Sequence, residues 1–182
     1  MLYILSFILI LSSCRQHDDD ELTSPEGYTT ITFKARITDL ENVNVRDVDP
    51  DGLGVNNMTL FCFNEFGLFI STETAQLVKH TPVDGISDSG EYTATIPSHT
   101  RIIHFLGNHS EGLYDESNFP GQTENMIIAN MEGGSGMLVY WSRFEMDASS
   151  KDDIHTQLSN LKYTIGERTY NGIKLIRNQA RI

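Results

Sequence analysis

The sequence predicts an all-β domain, a β-sandwich of about seven short strands with long polar loops. Three observations carry that prediction. Residues 30–37 and 91–96 alternate between apolar and polar side chains, the period of a half-buried strand. Other short apolar runs are separated by clusters of Gly, Asp, Asn and Ser, which supply turn conformations. Little of the chain carries a helical period.

The elements follow in order. Ile31, Phe33, Ala35 and Ile37 share one face of the first strand. The polar stretch 38–57 reads as a loop. Met58-Thr59-Leu60-Phe61-Cys62-Phe63 and Leu68-Phe69-Ile70 flank Asn64-Glu65-Phe66-Gly67, the pattern of a β-hairpin. Turns are predicted at Val83-Asp84-Gly85 and Ser87-Asp88-Ser89-Gly90, and Pro97 closes the strand at 91–96. Residues 101–107 are apolar on both faces, as in a central strand. Residues 126–131 fit a helical turn or a short strand. Residues 137–141 read as a strand entered through Gly133-Gly134-Ser135-Gly136. The polar stretch 147–170 holds a short helix at 152–158, and 172–177 form the last strand. No internal repeat is visible.

The N-terminus has a different character. Residues 2–11 are an apolar run of secretory h-region length, too short to span a bilayer. The run is apolar all round, whereas a core helix is amphipathic. Leu11-Ser12-Ser13-Cys14 resembles the bacterial lipobox, although Met1-Leu2-Tyr3 contributes no basic residue. That resemblance implies cleavage before Cys14, a diacylglycerol on its sulfur and palmitate on its new amino terminus. The acidic string Asp18-Asp19-Asp20-Glu21 would keep the following segment solvated. Gln16-His17-Asp18-Asp19 also resembles the export tag that takes Bacteroidetes lipoproteins to the outer face of the outer membrane. The expected organisation is a signal peptide at 1–13, an acidic tether at 14–28 and a β-domain at 29–182.

Composition narrows function. The chain has 182 residues with 25 acidic against 13 basic, a net charge of −12. Nucleic acid needs a basic face, and anionic lipid would be met only through acyl chains. With Cys14 lipidated, Cys62 stands alone, so no disulfide framework is expected; its apolar surroundings predict a buried, unreactive thiol. Asp47-Val48-Asp49-Pro50-Asp51-Gly52 opens like a calcium loop, but Met58 stands where the bidentate Glu belongs, so an acidic loop is expected. His99, His104 and His109 are five apart and point to opposite faces of a strand; His104 reads as a buried histidine with a hydrogen-bond partner. Gly133 to Met137 fails the nucleophile-elbow spacing, and no phosphate loop or carboxylate dyad stands out. No enzyme activity, cofactor or metal is expected.

Several segments in order resemble one family. They are residues 31–37, Leu60-Phe61-Cys62-Phe63-Asn64-Glu65-Phe66-Gly67, residues 92–97, Arg101-Ile102-Ile103-His104-Phe105-Leu106-Gly107-Asn108, Tyr140-Trp141-Ser142 and Leu175-Ile176-Arg177-Asn178. Together with the lipobox they resemble the N-terminal domain of fimbrillin-like lipoproteins of Bacteroidales, the subunits and anchors of type V pili. The resemblance implies a transthyretin-like sandwich, a surface-exposed lipoprotein of the outer membrane, and a role in fimbriae and adhesion. It implies that other fimbrial subunits are the partners, joined by strand exchange. In stalk members an arginine-specific protease removes the first strand, and another subunit's strand fills the groove. Carried over, Ile31, Phe33, Ala35 and Ile37 would be the core face of the removable strand. Arg46 would be the cleavage site, with Arg36 second. Anchor members keep the strand and the lipid. The family has a second domain that donates a strand. This chain stops at Ile182, so acceptance without donation is expected, as in an anchor or accessory subunit. Two other readings stand: a surface module binding glycans or host ligands, marked by Trp141 and Tyr114 on one exposed face, and a truncated fimbrillin fragment.

Overall fold

The computed structural model describes residues 26–37, 55, 57–83, 86–107, 116–129, 140–165 and 167–177. Strand β1 (Tyr28–Ile37) is followed by β2 (Met58–Phe63), β3 (Phe69–Val83), β4 (Ile86–Pro97) and β5 (Ile102–Gly107). A 3-10 turn (Glu116–Asn118) and helix α1 (Glu124–Ala129) lead to β6 (Tyr140–Glu145). Helix α2 (Ile154–Ser159), the hairpin β7 (Lys162–Ile165) and β8 (Arg168–Asn171), and β9 (Ile173–Arg177) complete the described fold.

The domain is all-β with, among the described residues, two short α-helices, and seven strands close into a barrel in the order β1-β4-β3-β2-β5-β6-β9. The expected sandwich is thus not drawn as two separate sheets. Two strands carry the ladder round the corners. β3 pairs β2 from Phe69 to Ala75 and β4 from Gln76 onward. β9 pairs β6 at Trp141↔Ile176 and β1 at Ala35↔Ile173 through Ile37↔Leu175.

Other boundaries shift for local reasons. β1 begins at Tyr28, inside the expected tether. The turn expected at 87–90 is strand: Gly90 is buried, and a Cβ there would meet Leu77 and the Tyr92 ring at 2.8 Å. Glycine serves close packing at that position, not a reversal. The turn at 64–67 forms as expected, with Gly67 at φ +70° and Asn64 Oδ1 accepting from the amides of Phe66 and Leu68. Of residues 126–131, the first four are helical, in α1, and 130–131 lie outside the described residues. β6 starts at Tyr140, and residues 137–139 lie outside the described residues.

The polar stretch expected at 147–170 contains a second, two-stranded sheet, β7–β8. Its side chains hold it together: Tyr163 and Tyr170 stack with ring centroids 5.6 Å apart, and the Thr164 and Thr169 hydroxyls are 3.4 Å apart. Helix α2 starts where Asp153 accepts a hydrogen bond from the Thr156 amide at 2.8 Å. That bond holds the Asp153 carboxyl below the usual range.

Two apolar cores result. Inside the barrel lie Ile31 and Phe33 of β1, Leu60 and Cys62 of β2, Ile96 of β4, Ile103 and Phe105 of β5 and Leu175 of β9, with Leu158 of α2 joining them. Phe33 stacks on Tyr92 at 5.7 Å and meets Phe105 edge-on at 4.8 Å. On the opposite face of β2 and β5, Phe61, Phe63, Ile102 and Leu106 are covered by Phe119 and Ile127 of segment 116–129. Backbone bonds fasten that cover: Phe69 N–H donates to Gln122 O at 3.0 Å, and Glu124 N–H to Gly67 O at 2.8 Å.

Candidate functional site

β1 is held unequally along its two edges. Against β4 it forms a nine-residue antiparallel ladder, from Tyr28↔Pro97 to Arg36↔Ser89. Against β9 it forms, among the described residues, a parallel seam of three residues, Ala35 to Ile37. Before the seam, side chains of α2 replace a neighbouring strand. The Thr32 amide donates to His155 Nδ1 at 3.3 Å, and Ser159 Oγ donates to the Thr32 carbonyl at 3.5 Å. These contacts satisfy an edge that would otherwise present open backbone groups.

The inward face of β1 matches the alternation read from sequence. Ile31, Phe33 and Ala35 are buried in the barrel core. Ile37 pairs Leu175 through its backbone, while its side chain lies outside the described residues. Gly172 lets the β8–β9 connection approach β1: its φ is +109°, and a Cβ would collide with the Lys34 carbonyl oxygen.

Arg36 sits within this construction. Its backbone lies between Ser89 of β4 and Lys174 of β9, and its guanidinium lies 4.4 Å from the Tyr170 ring centroid. Arg36 is thus paired along both edges in the folded domain. Cys14, Arg46 and Asp47 to Gly52 lie outside the described residues, as do Tyr114, His109 and Gly133 to Met137. Met58 is buried in the barrel core, so it could face no ion in a preceding loop.

His104 is 2% exposed and central to a polar network under α1. Trp141 Nε1–H donates to His104 Nδ1 at 3.0 Å, which leaves the imidazole proton on Nε2. Nε2 lies 3.3 Å from Glu124 Oε2, close enough for an electrostatic contact but without hydrogen-bond geometry. Arg143 Nε meets both Glu124 oxygens at 3.1 Å, and its Nη1 meets Glu145 at 2.8 Å. Burial pushes the His104 pKa below its ordinary value, against the pull of Glu124. Trp141 is thereby committed to the outer core and is not a free stacking platform. His99 is exposed in the turn after β4.

Cys62 is wholly buried, and its thiol is pushed up to about 12 by burial and then by the Glu73 charge. Burial likewise lifts the Tyr92 phenol to about 12; its hydroxyl donates to the Val55 carbonyl at 2.9 Å. Neither group is poised for chemistry near neutral pH.

Sequence reasoning missed the α2 groups on the β1 edge and the partners of His104. Neither has a local signal: His155 follows Thr32 by 123 positions, and Trp141 follows His104 by 37. Among the described residues no helix is long and apolar enough to cross a membrane. Comparison with protein-family models, with curated proteins and with solved structures finds no match to this chain.

Proposed function

We propose that this protein is a non-enzymatic, surface-exposed lipoprotein of the outer membrane. It acts as an anchor or accessory subunit of fimbriae and accepts strands from other subunits. In this reading the barrel is a transthyretin-like sandwich closed at its corners, and Cys14 carries the lipid. One observation carries the proposal: β1 buries Ile31, Phe33 and Ala35 in the core, yet among the described residues it is joined to β9 by three residues against nine to β4. Withdrawing such a strand opens an apolar groove with unpaired backbone on both sides. At ~1.5–3 kcal/mol per large apolar side chain, an incoming strand of similar pattern would be strongly held. If the strand is removed by proteolysis, Arg46 is the first candidate for the cut and Arg36, which is paired on both edges, the second.

Shearing cells and blotting the filament and membrane fractions tests this reading. Copurification with filaments is the expected result, and intact mass then shows whether residues before Asp47 are retained. Recovery from membranes alone, with filaments unchanged on deletion of the gene, rejects the fimbrial role. The anchor is tested separately: a Cys14→Ala chain should take up no radiolabelled palmitate, and undiminished labelling rejects lipidation.

A further inference from the structure

We propose that the cleft bounded by β1, the end of α2 and the β7–β8 hairpin binds an acidic sugar, a carboxylate carried on a hydroxylated ring. The cleft has a volume of about 360 Å³, at the small end of the range for ligand pockets. Two cross-strand pairs contribute to its lining. Lys34 of β1 stands opposite Glu91 of β4, and Lys162 of β7 stands opposite Asn171 of β8. Ser159 and Asn160, at the C-terminal end of α2, also line it. Gly172 sets the spacing, since any side chain there would push the hairpin away from β1.

The lining selects the ligand class. Two ammoniums and one carboxylate give the cleft a net positive charge in a chain whose overall charge is −12. No ion pair among the described residues engages either ammonium. Within the described residues both can meet an anion. A bare anion would be repelled by Glu91 and would make no use of the Asn160 and Asn171 amides or of the acceptor capacity of Ser159 Oγ, which donates to the Thr32 carbonyl. Hydroxyl groups donate and accept, as do Asn160, Asn171 and Ser159, and a hydroxyl can donate to Glu91. A ring bearing one carboxylate and several hydroxyls satisfies all of these groups together. The cleft offers no aromatic platform: the Phe33 ring is buried against Tyr92 and Phe105, and the stacked Tyr163 and Tyr170 alternate to the other face of the hairpin. Recognition then rests on charge and hydrogen bonds, with weak affinity for a single ring.

Titrating the ¹⁵N-labelled full chain with D-glucuronate, D-glucose and inorganic phosphate tests this. The expected result is saturable amide shifts at Lys34, Asn160, Lys162 and Asn171 with glucuronate. Glucose, which lacks the carboxylate, and phosphate, which lacks the hydroxylated ring, should each bind about tenfold more weakly. Lys34→Gln and Lys162→Gln should each weaken glucuronate binding by a similar factor, and the double variant should abolish it. Both lysines are exposed, so the variants should keep the wild-type thermal midpoint. Absence of saturable shifts overturns the site. Equal binding of phosphate reduces it to a non-specific anion patch, and equal binding of glucose removes the role of the lysines. A folded double variant that binds as the wild type overturns the assignment of the residues.

Discussion

The two faces of β2 and β5 are buried by different means. Inside the barrel, Leu60, Cys62, Ile103 and Phe105 meet other strands and α2 in a core made of apolar side chains and the Tyr92 and Tyr140 phenols. Outside, Phe61, Phe63, Ile102 and Leu106 meet a short segment, 116–129, which also carries Glu124 over His104. The inner core is closed by ladders spanning the whole fold. The outer one is closed by one helix, a few backbone bonds and an ion network. A cover of that kind can lift while the barrel remains intact, because local opening follows local contact density.

Large-to-small substitutions should separate the two most strongly. Phe33→Ala leaves a cavity among Tyr92, Phe105 and the β1 face, and should cost about 3–5 kcal/mol in urea unfolding, with every probe moving together. Phe119→Ala removes a ring from the cover and should cost about 2 kcal/mol or less, with faster amide exchange confined to 116–129 and β2. Equal costs with global loss of protection in both variants would mean that the cover is part of one cooperative core.

The polar half of the outer core gives the next effect. Glu124→Gln keeps the shape but removes the charge that pairs Arg143 and faces His104, and weakens the acceptor for Arg143 Nε–H. The expected loss is about 1–2 kcal/mol, since the pair is partly buried and one hydrogen bond to a charge is weakened. Glu145→Gln, at the exposed end of the same network, should change stability by less than about 0.5 kcal/mol. Reversal of that order would place the network's worth at the surface.

How much of this was legible in the sequence follows the same division. β1, the second half of β4, and β5 announce themselves by period two or by apolar runs, and the inward face Ile31, Phe33, Ala35 follows directly from alternation. The two-sided apolar character of β5 was also legible, but the agent that covers its second face was not, because α1 is six residues long with no clear period. The β7–β8 hairpin was invisible for a related reason: its cohesion comes from a tyrosine pair and a threonine pair, with no apolar face to mark it. Barrel closure depends on Ala35 meeting Ile173, a pairing without local signature. Two strands that switch neighbours turn an expected pair of sheets into one closed ladder.

Acidity should act on the outer core before the inner. His104 has a folded-state pKa below its ordinary 6.5, with burial as the leading cause. Between those two values the unfolded chain binds more protons, so stability rises with pH across that window. The contribution is present above 6.5 and is lost as pH falls toward the folded value. Protonation at Nδ1 would also remove the acceptor for the Trp141 indole. Urea midpoints measured between pH 7.5 and pH 5 should fall more steeply for the wild type than for His104→Gln. Parallel slopes would remove His104 from the acid response.

The smallest effect is a difference between two built-in probes. Trp141 is the single tryptophan and reports the outer core, while Cys62 reports the inner one once Cys14 is replaced by Ala. In low urea, indole emission should shift as the cover lifts, while labelling of Cys62 stays slow. Its thiol is both enclosed and held near 12, so neither access nor thiolate is available until the barrel opens. Fluorescence should therefore lead thiol reactivity along the urea axis, by an interval that Phe119→Ala widens and Phe33→Ala closes. Coincident curves in all three chains would make both cores one unit, and the division of labour between the two faces of β2 and β5 would be structural only.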